Sequence, residues 1–275
     1  MIEDHLFFTG LNIRLAWSVY VSLLSGTMSF GNGAFMAVGA YAAGVCTVKL
    51  GWTFEPAVVG AAVFCFVFGL AVGFPALRTR GLYLIMVTIG LAFCLRVAIE
   101  NTPYLGGVRG MRGLVGTSPW HVAVVLVLVG ALLWVVSRSP LQRVLDAVRE
   151  DEDVAGALGI NVLHVQLVAF ACGAALAGIA GALYGHYMLF VAPDHFGILI
   201  SIFVVLYVIL GGVNNMWGPA LGAAIMTLVP EFVRFVAEWR TALFSLVIVV
   251  LLLVRPEGLL AFRTITIRTP RRPRA

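Results

Sequence analysis

The stretch HVAVVLVLVGALLWVVSRSPLQRVLDAVREDED, residues 121–153, changes character part-way along. From His121 to Ser137 it carries no Asp, Glu, Lys or Arg. A run of that kind approaches the roughly 20 apolar residues that cross a ~30 Å hydrocarbon core as a helix. Beyond Arg138 the pattern becomes amphipathic, and Arg149–Asp153 are all charged. A membrane span leading into a charged element outside the membrane accounts for both halves.

The rest of the chain extends that reading. Of its 275 residues 61% are hydrophobic and 11% charged, and the mean hydropathy is +1.02. A soluble domain carries roughly 25% charged residues, so there is too little polar side chain here to cover a water-facing surface. A closed β-barrel needs alternating segments of about ten residues, whereas the runs here are continuously apolar. The expected fold is an all-α, polytopic transmembrane bundle of about nine spans, at about 8–25, 33–50, 55–76, 82–100, 120–137, 163–185, 196–212, 216–236 and 240–255. Gly and Pro punctuate the spans, at Gly31–Gly33, Pro75, Pro103, Pro140, Pro193, Gly211–Gly212 and Pro256 among others. One transmembrane domain is expected over 1–262, followed by a basic, Pro-containing tail over 263–275 that is expected to be disordered and cytoplasmic.

Arginine placement orients the bundle. Arg78, Arg80, Arg138, Arg143, Arg149 and the C-terminal arginines from Arg255 onward make eleven on one side; Lys49, Arg109, Arg112, Arg234 and Arg240 make five on the other. The positive-inside rule makes the first side cytoplasmic. The net charge of +5 is explained by arginines beside spans and anionic lipid, not by a nucleic-acid partner. Met1–Thr9 has no basic n-region and no small-residue cleavage site, and is expected to be retained. The four cysteines lie within apolar stretches, without metal-ligand spacing. No metal, cofactor or catalytic constellation is expected.

The charged loop, about 139–161, reads as two short helices. Ser139-Pro140 is a helix start. Leu141, Val144, Leu145 and Val148 fall on one face, opposite Gln142, Arg143, Asp146 and Arg149. Asp151–Asp153 can cap a second helix running to Leu158, with Gly159 ending it. Either this is a solvated inter-helix loop or it is a docking element for a soluble partner.

LQRVLDAVREDEDVAGALGIN (Leu141–Asn161) resembles the cytoplasmic loop of the permease subunits of branched-chain amino acid ABC importers, and most closely their M-type permease. SFGNGAFMAVGAY (Ser29–Tyr41), LRTRGLYLIMVTIG (Leu77–Gly90), LGGVRGMRGL (Leu105–Leu114), AGIAGALYGHYMLFVAPDHF (Ala177–Phe196), LGGVNNMWGPALGA (Leu210–Ala223) and RPEGLL (Arg255–Leu260) continue the likeness in the same order. The resemblance implies a non-enzymatic subunit in the bacterial inner membrane. It would work with a second homologous permease, two cytoplasmic ATP-binding subunits and a periplasmic solute-binding protein. The charged loop would match the coupling helix, with Val144, Leu145 and Val148 as its buried contact and Arg149, Glu150 and Asp151 setting its register. No GxxxxGK[ST] occurs, so nucleotide chemistry is expected from a partner. Related permeases import urea, short amides or aromatic acids, and the sequence does not separate these substrates.

Two Gly-rich interruptions are candidates for the pathway: Ser29, Phe30 and Asn32 in SFGNGAF, and Asn214 and Asn215 in GGVNNMWGP. Close helix packing through small residues is the competing reading. Arg96 is a further candidate. It can pair with Glu100 four residues on, or snorkel to the interface. Arg14 lies within the first span with no evident partner. His186 and His195 flank an outer loop. An ion-coupled secondary transporter is the alternative, but it would be expected to carry carboxylates mid-span, and Glu100 and Glu231 lie near span ends.

Overall fold

A computed structural model describes residues 2–79, 81–114 and 116–232. Among them the chain forms ten α-helices: α1 (Ile2–Leu24), α2 (Asn32–Gly44), α3 (Phe54–Ala76), α4 (Leu82–Glu100), α5 (Pro119–Arg138), α6 (Pro140–Glu150), α7 (Glu152–Ala157), α8 (Val162–Met188), α9 (Ile198–Gly211) and α10 (Trp217–Phe232). A single π-helical turn, Val45–Lys49, prolongs α2. Two short strands, β1 (Met111–Arg112) and β2 (Phe190–Val191), pair antiparallel.

Among the described residues, six segments are long and apolar enough to cross a membrane: Asp4–Leu24, Phe54–Ala76, Leu82–Glu100, Trp120–Arg138, Val162–Met188 and Pro193–Gly211. They match expected spans. The helix at the expected span 33–50 is shorter and that at 216–236 runs to the edge of the described residues, so six of the nine expected spans are matched among the described residues. The expected span 240–255, the tail 263–275 and Arg80 lie outside the described residues.

Burial sorts the helices. α1 and α8 form the centre, with Leu15, Ala16, Val19, Ala177, Ala180 and Leu183 inaccessible or nearly so. α3, α4 and α5 instead present Val63, Val67, Met86, Val97, Val127 and Leu128 outward. Helices apolar on every side but exposed on one belong against hydrocarbon. Small residues set the closest approach. A methyl group on Gly39 of α2 would overlap the backbone of Gly178 in α8, and one on Gly181 would overlap the Met36 carbonyl. Only glycine lets these two backbones touch.

The two ends of the bundle differ. At one end α6 and α7 lie beneath the ends of α1 and α5 and the start of α8, with Arg78, Arg138, Arg143 and Arg149 on that side. At the other end β1 pairs with β2, and the Asp4 carboxylate accepts from the Tyr187 hydroxyl. Lys49, Arg109 and Arg112 lie there. Arg234, Arg240 and the arginines from Arg255 onward, which complete the expected separation, lie outside the described residues.

The helix order also repeats with reversed direction. α1 runs toward the α6–α7 end, breaks at Ser25–Gly31, and is followed by α2, which begins inside the bundle and runs back. α8 runs the opposite way, breaks over Leu189–Gly197, and is followed by α9, which also begins inside. The structural counterpart of SFGNGAF is therefore the Leu189–Gly197 segment and not GGVNNMWGP. The latter is the turn between α9 and α10 at the α6–α7 end. Both stretches carry turn residues, and the Gly33–Ser201 hydrogen bond is what sets the start of α9 beside that of α2.

Candidate translocation and coupling site

α1 ends because its last carbonyls find local donors. The Ser22 carbonyl accepts from Ser25 N, Thr27 N, Ser25 Oγ at 2.8 Å and Thr27 Oγ1 at 2.8 Å. The chain turns through Gly26 at φ 78° and starts α2 at Asn32. Asn32 Nδ2 donates to Ser18 Oγ at 3.2 Å. Ser18 lies six residues before Leu24 in α1, so α2 starts about 9 Å inside the bundle from that end at 1.5 Å per residue.

A helix start leaves backbone N–H groups without intrahelical partners. Here other helices supply them. Gly33 N–H donates to Ser201 Oγ on α9 at 2.9 Å. Just before α2, Phe30 N–H donates to Thr88 Oγ1 on α4 at 3.1 Å, and Gly31 N–H to Ser29 Oγ at 3.1 Å. Ser18, Ser29, Asn32, Thr88 and Ser201 are all buried. Ser201 is in the first turn of α9, so the positive ends of two interrupted helix dipoles meet at one place inside the bundle. Sequence reasoning reached Ser29, Phe30 and Asn32 but missed Ser18, Thr88 and Ser201. The only signal for them was a lone hydroxyl in an apolar helix.

The charged hairpin has the expected local form. Ser139 precedes α6 with Pro140 at its first position, although Ser139 Oγ donates back to the Val136 carbonyl instead of capping. Asp151 Oδ1 accepts from Asp153 N and Val154 N, each at 3.0 Å, and caps α7. Gly159 follows α7 at φ 84°. The apolar face of α6 turns toward the chain's own bundle: Leu145 is 6% and Val148 1% accessible, while Val144 is half-buried. Leu145 and Val148, expected as contacts for a partner, are thus covered by the chain's own bundle. Helical periodicity locates an apolar face but not what covers it. Glu150 and Asp151 are exposed, as are Val154 on α7 and Leu158 just after it.

Arg149 points inward as well. Its guanidinium donates to the Val213 carbonyl at 3.4 Å and to Asn214 Oδ1 at 3.3 Å. Arg149, Glu150, Asn214 and Asn215 border one polar cavity of about 400 Å³, together with Tyr20 and Asp146. The candidate residues thus fall into separate places. Ser29, Phe30 and Asn32 are at the inner break; Asn214 and Asn215 join the hairpin. Arg96 is at the opposite end, where it pairs with Glu100 at 2.8 Å and with Asp194. That second contact ties α4 to the turn before α9.

Arg14 is fully buried, and its three guanidinium nitrogens have no hydrogen-bond partner among the described residues. His186 is buried too. Its Nδ1 lies 2.7 Å from the Ala182 carbonyl, and Phe54 packs edge-on against its ring and that of His121. Among the described residues no cluster of His, Cys, Asp or Glu has the grouping of a metal site.

A family model described as "Branched-chain amino acid transport system / permease component" matches residues 1–255. The chain belongs to this permease family. It is 31% identical to the high-affinity branched-chain amino acid transport system permease protein LivM of Salmonella typhimurium, and 30% identical to the LivM of Escherichia coli K12. Each alignment covers 86% of this chain but 64% of the relative, so the chain spans less than two thirds of their length. The permease protein LivH of E. coli K12 is 24% identical, with 86% of each chain covered. No solved structure matches. Membership of the permease family, with six segments among the described residues long and apolar enough to cross a membrane, makes the chain a multi-pass membrane protein.

Proposed function

We propose that the chain is the permease subunit of an ATP-driven importer for branched-chain amino acids or a related small polar solute. It forms half of the translocation pathway, beside a second homologous permease, and spans the bacterial inner membrane about nine times with its C-terminus in the cytoplasm. The observation that carries this reading is the family match over residues 1–255. The geometry supports it: two helix starts converge inside the bundle, joined by Gly33 and Ser201. Interrupted helices whose N-termini meet at depth suit the carboxylate of an amino acid.

ATP hydrolysis belongs to two cytoplasmic subunits, and solute is delivered by a periplasmic binding protein. The hairpin of α6 and α7 docks on the ATP-binding subunits through its exposed side, with Val144, Glu150 and Asp151 and the neighbouring Val154 and Leu158. Leu145 and Val148 seat it on the bundle.

The test is uptake into liposomes that hold the chain alone, or the chain with a second permease, the ATP-binding subunits and the binding protein. Uptake is expected only in the complete set with ATP inside. Concentrative uptake by the chain alone under an ion gradient would favour a secondary transporter instead.

A further inference from the structure

Gln166, near the start of α8, is a buried amide inside an apolar helix. Its Nε2 donates to Glu152 Oε1 on α7 at 2.8 Å and to the Ser25 carbonyl at 3.4 Å. One amide nitrogen carries two protons, so it serves both acceptors at once. Ser25 opens the segment that leads to the start of α2.

Arg149 makes a matching link on the other side. From the last turn of α6 it donates to Val213 and Asn214, in the turn that closes α9. Its Cα also packs against the first break, where a methyl group on Gly26 would lie 3.5 Å away. The far ends of both routes meet at the Gly33–Ser201 hydrogen bond. The hairpin is therefore tied to both interrupted helices, and these are tied to each other. α9 has 14 residues and is a rod about 21 Å long. A shift at its Val213 end is delivered near Ser201.

We propose that Gln166 and Arg149 are positioning residues that pass displacement of the α6–α7 hairpin to the two helix breaks. Gln166 acts through Ser25 on α2, and Arg149 acts through Val213 and Asn214 on α9. The proposal rests on the permease reading above and adds the route by which the hairpin moves the pathway. It assigns Arg149 to the chain's own turn and not to a partner's groove. Coupling can travel through packed side chains, hydrogen bonds and rigid elements, and here the hydrogen bonds are joined by the Ser25–Gly31 backbone and the α9 rod.

The experiment has two readouts. Backbone hydrogen exchange over residues 25–31 is followed in the purified permease, and solute imported per ATP hydrolysed is followed in the reconstituted complex. Gln166→Met keeps the side-chain length and removes the donor. Glu152→Ala cuts the same link from the water-facing hairpin and guards against misfolding of the first variant. Both variants are expected to speed exchange over 25–31 and to lower import per ATP roughly 5-fold or more, the low end of a coupling free energy. The ATP-binding subunits should still co-purify. Arg149→Met is expected to lower import per ATP, and Arg149→Lys to restore part of it by reaching one of the two acceptors.

Unchanged exchange in both Gln166→Met and Glu152→Ala would overturn the proposal. So would faster exchange with import per ATP at the wild-type level, which would leave the links merely structural. A wild-type complex that fails to import would count against the permease reading itself. The exchange measurement would still decide whether the link exists.

Discussion

Ser201 and Thr88 show how single hydroxyls permit a helix to start inside an apolar bundle. Each accepts a backbone N–H that has no helical partner. Removing such an acceptor typically costs about 1 kcal/mol at a helix start, and more where the stranded donor is buried. Ser201→Ala and Thr88→Val are each expected to lower the unfolding midpoint in detergent by an amount corresponding to about 1–2 kcal/mol. A wild-type midpoint in both would mean that the N–H groups find other acceptors. Arg14 predicts the reverse sign. Among the described residues its guanidinium has no partner, and a buried unpaired charge opposes folding, so Arg14→Met is expected to raise the midpoint. A fall would show that a compensating anion holds that charge.

These residues also mark where sequence reading stops. The Arg96–Glu100 pair was legible because i,i+4 spacing fixes it on one helix face. Its second partner, Asp194, lies 98 positions away, and no local pattern connects the two. Gln166 was passed over for the same reason: its partners come from two separate segments that only the folded chain brings together.

At the scale of elements, α2 and α8 are the most constrained pair. Their backbones touch at Gly39, Gly178 and Gly181. Gly39→Leu has no room short of separating the helices, and it is expected to abolish the monodisperse folded permease in size-exclusion chromatography. Recovery of a normal peak would contradict the close approach. The hairpin offers a more graded test. Asp151 caps α7 through two backbone N–H groups, so its reversal would damage the helix as well as any docking surface. Glu150 makes no such cap. Glu150→Lys is expected to reduce capture of the ATP-binding subunits without altering the unfolding midpoint. Asp151→Ala should cost about 1 kcal/mol of stability, read by the same melting experiment. Equal capture by Glu150→Lys and wild type would return the charged stretch to a solvated loop.

Element boundaries were largely readable from length, hydropathy and capping chemistry. α5, the Pro140 start of α6, the Asp151 cap and the Gly159 stop all follow from local rules. The break before α9 was not readable. Leu189–Gly197 and Gly211–Trp217 both carry turn residues, and a helix that starts at depth differs from one that starts at the surface only in what surrounds it. The direction in which α6 shows its apolar face was hidden likewise, because amphipathicity is the same whether a bundle or a partner covers it.

For the whole molecule, two reversed helix–break–helix units meet at one centre, and a charged hairpin holds the first break and the far end of α9 from one end. The opposite end is held by β1–β2 and the Arg96 pairs. In the proposed permease, solute passes at mid-depth and the hairpin acts as a lever at one surface, while among the described residues no nucleotide-binding loop drives that lever. Its central claim is that hydrolysis in partner subunits drives solute through this chain. Uptake of labelled leucine into proteoliposomes holding the complete complex, with ATP compared against a non-hydrolysable analogue, tests that claim most directly. The account predicts accumulation with ATP and none above background with the analogue. Equal accumulation in both, or accumulation driven by an imposed proton or sodium gradient without ATP, would contradict it.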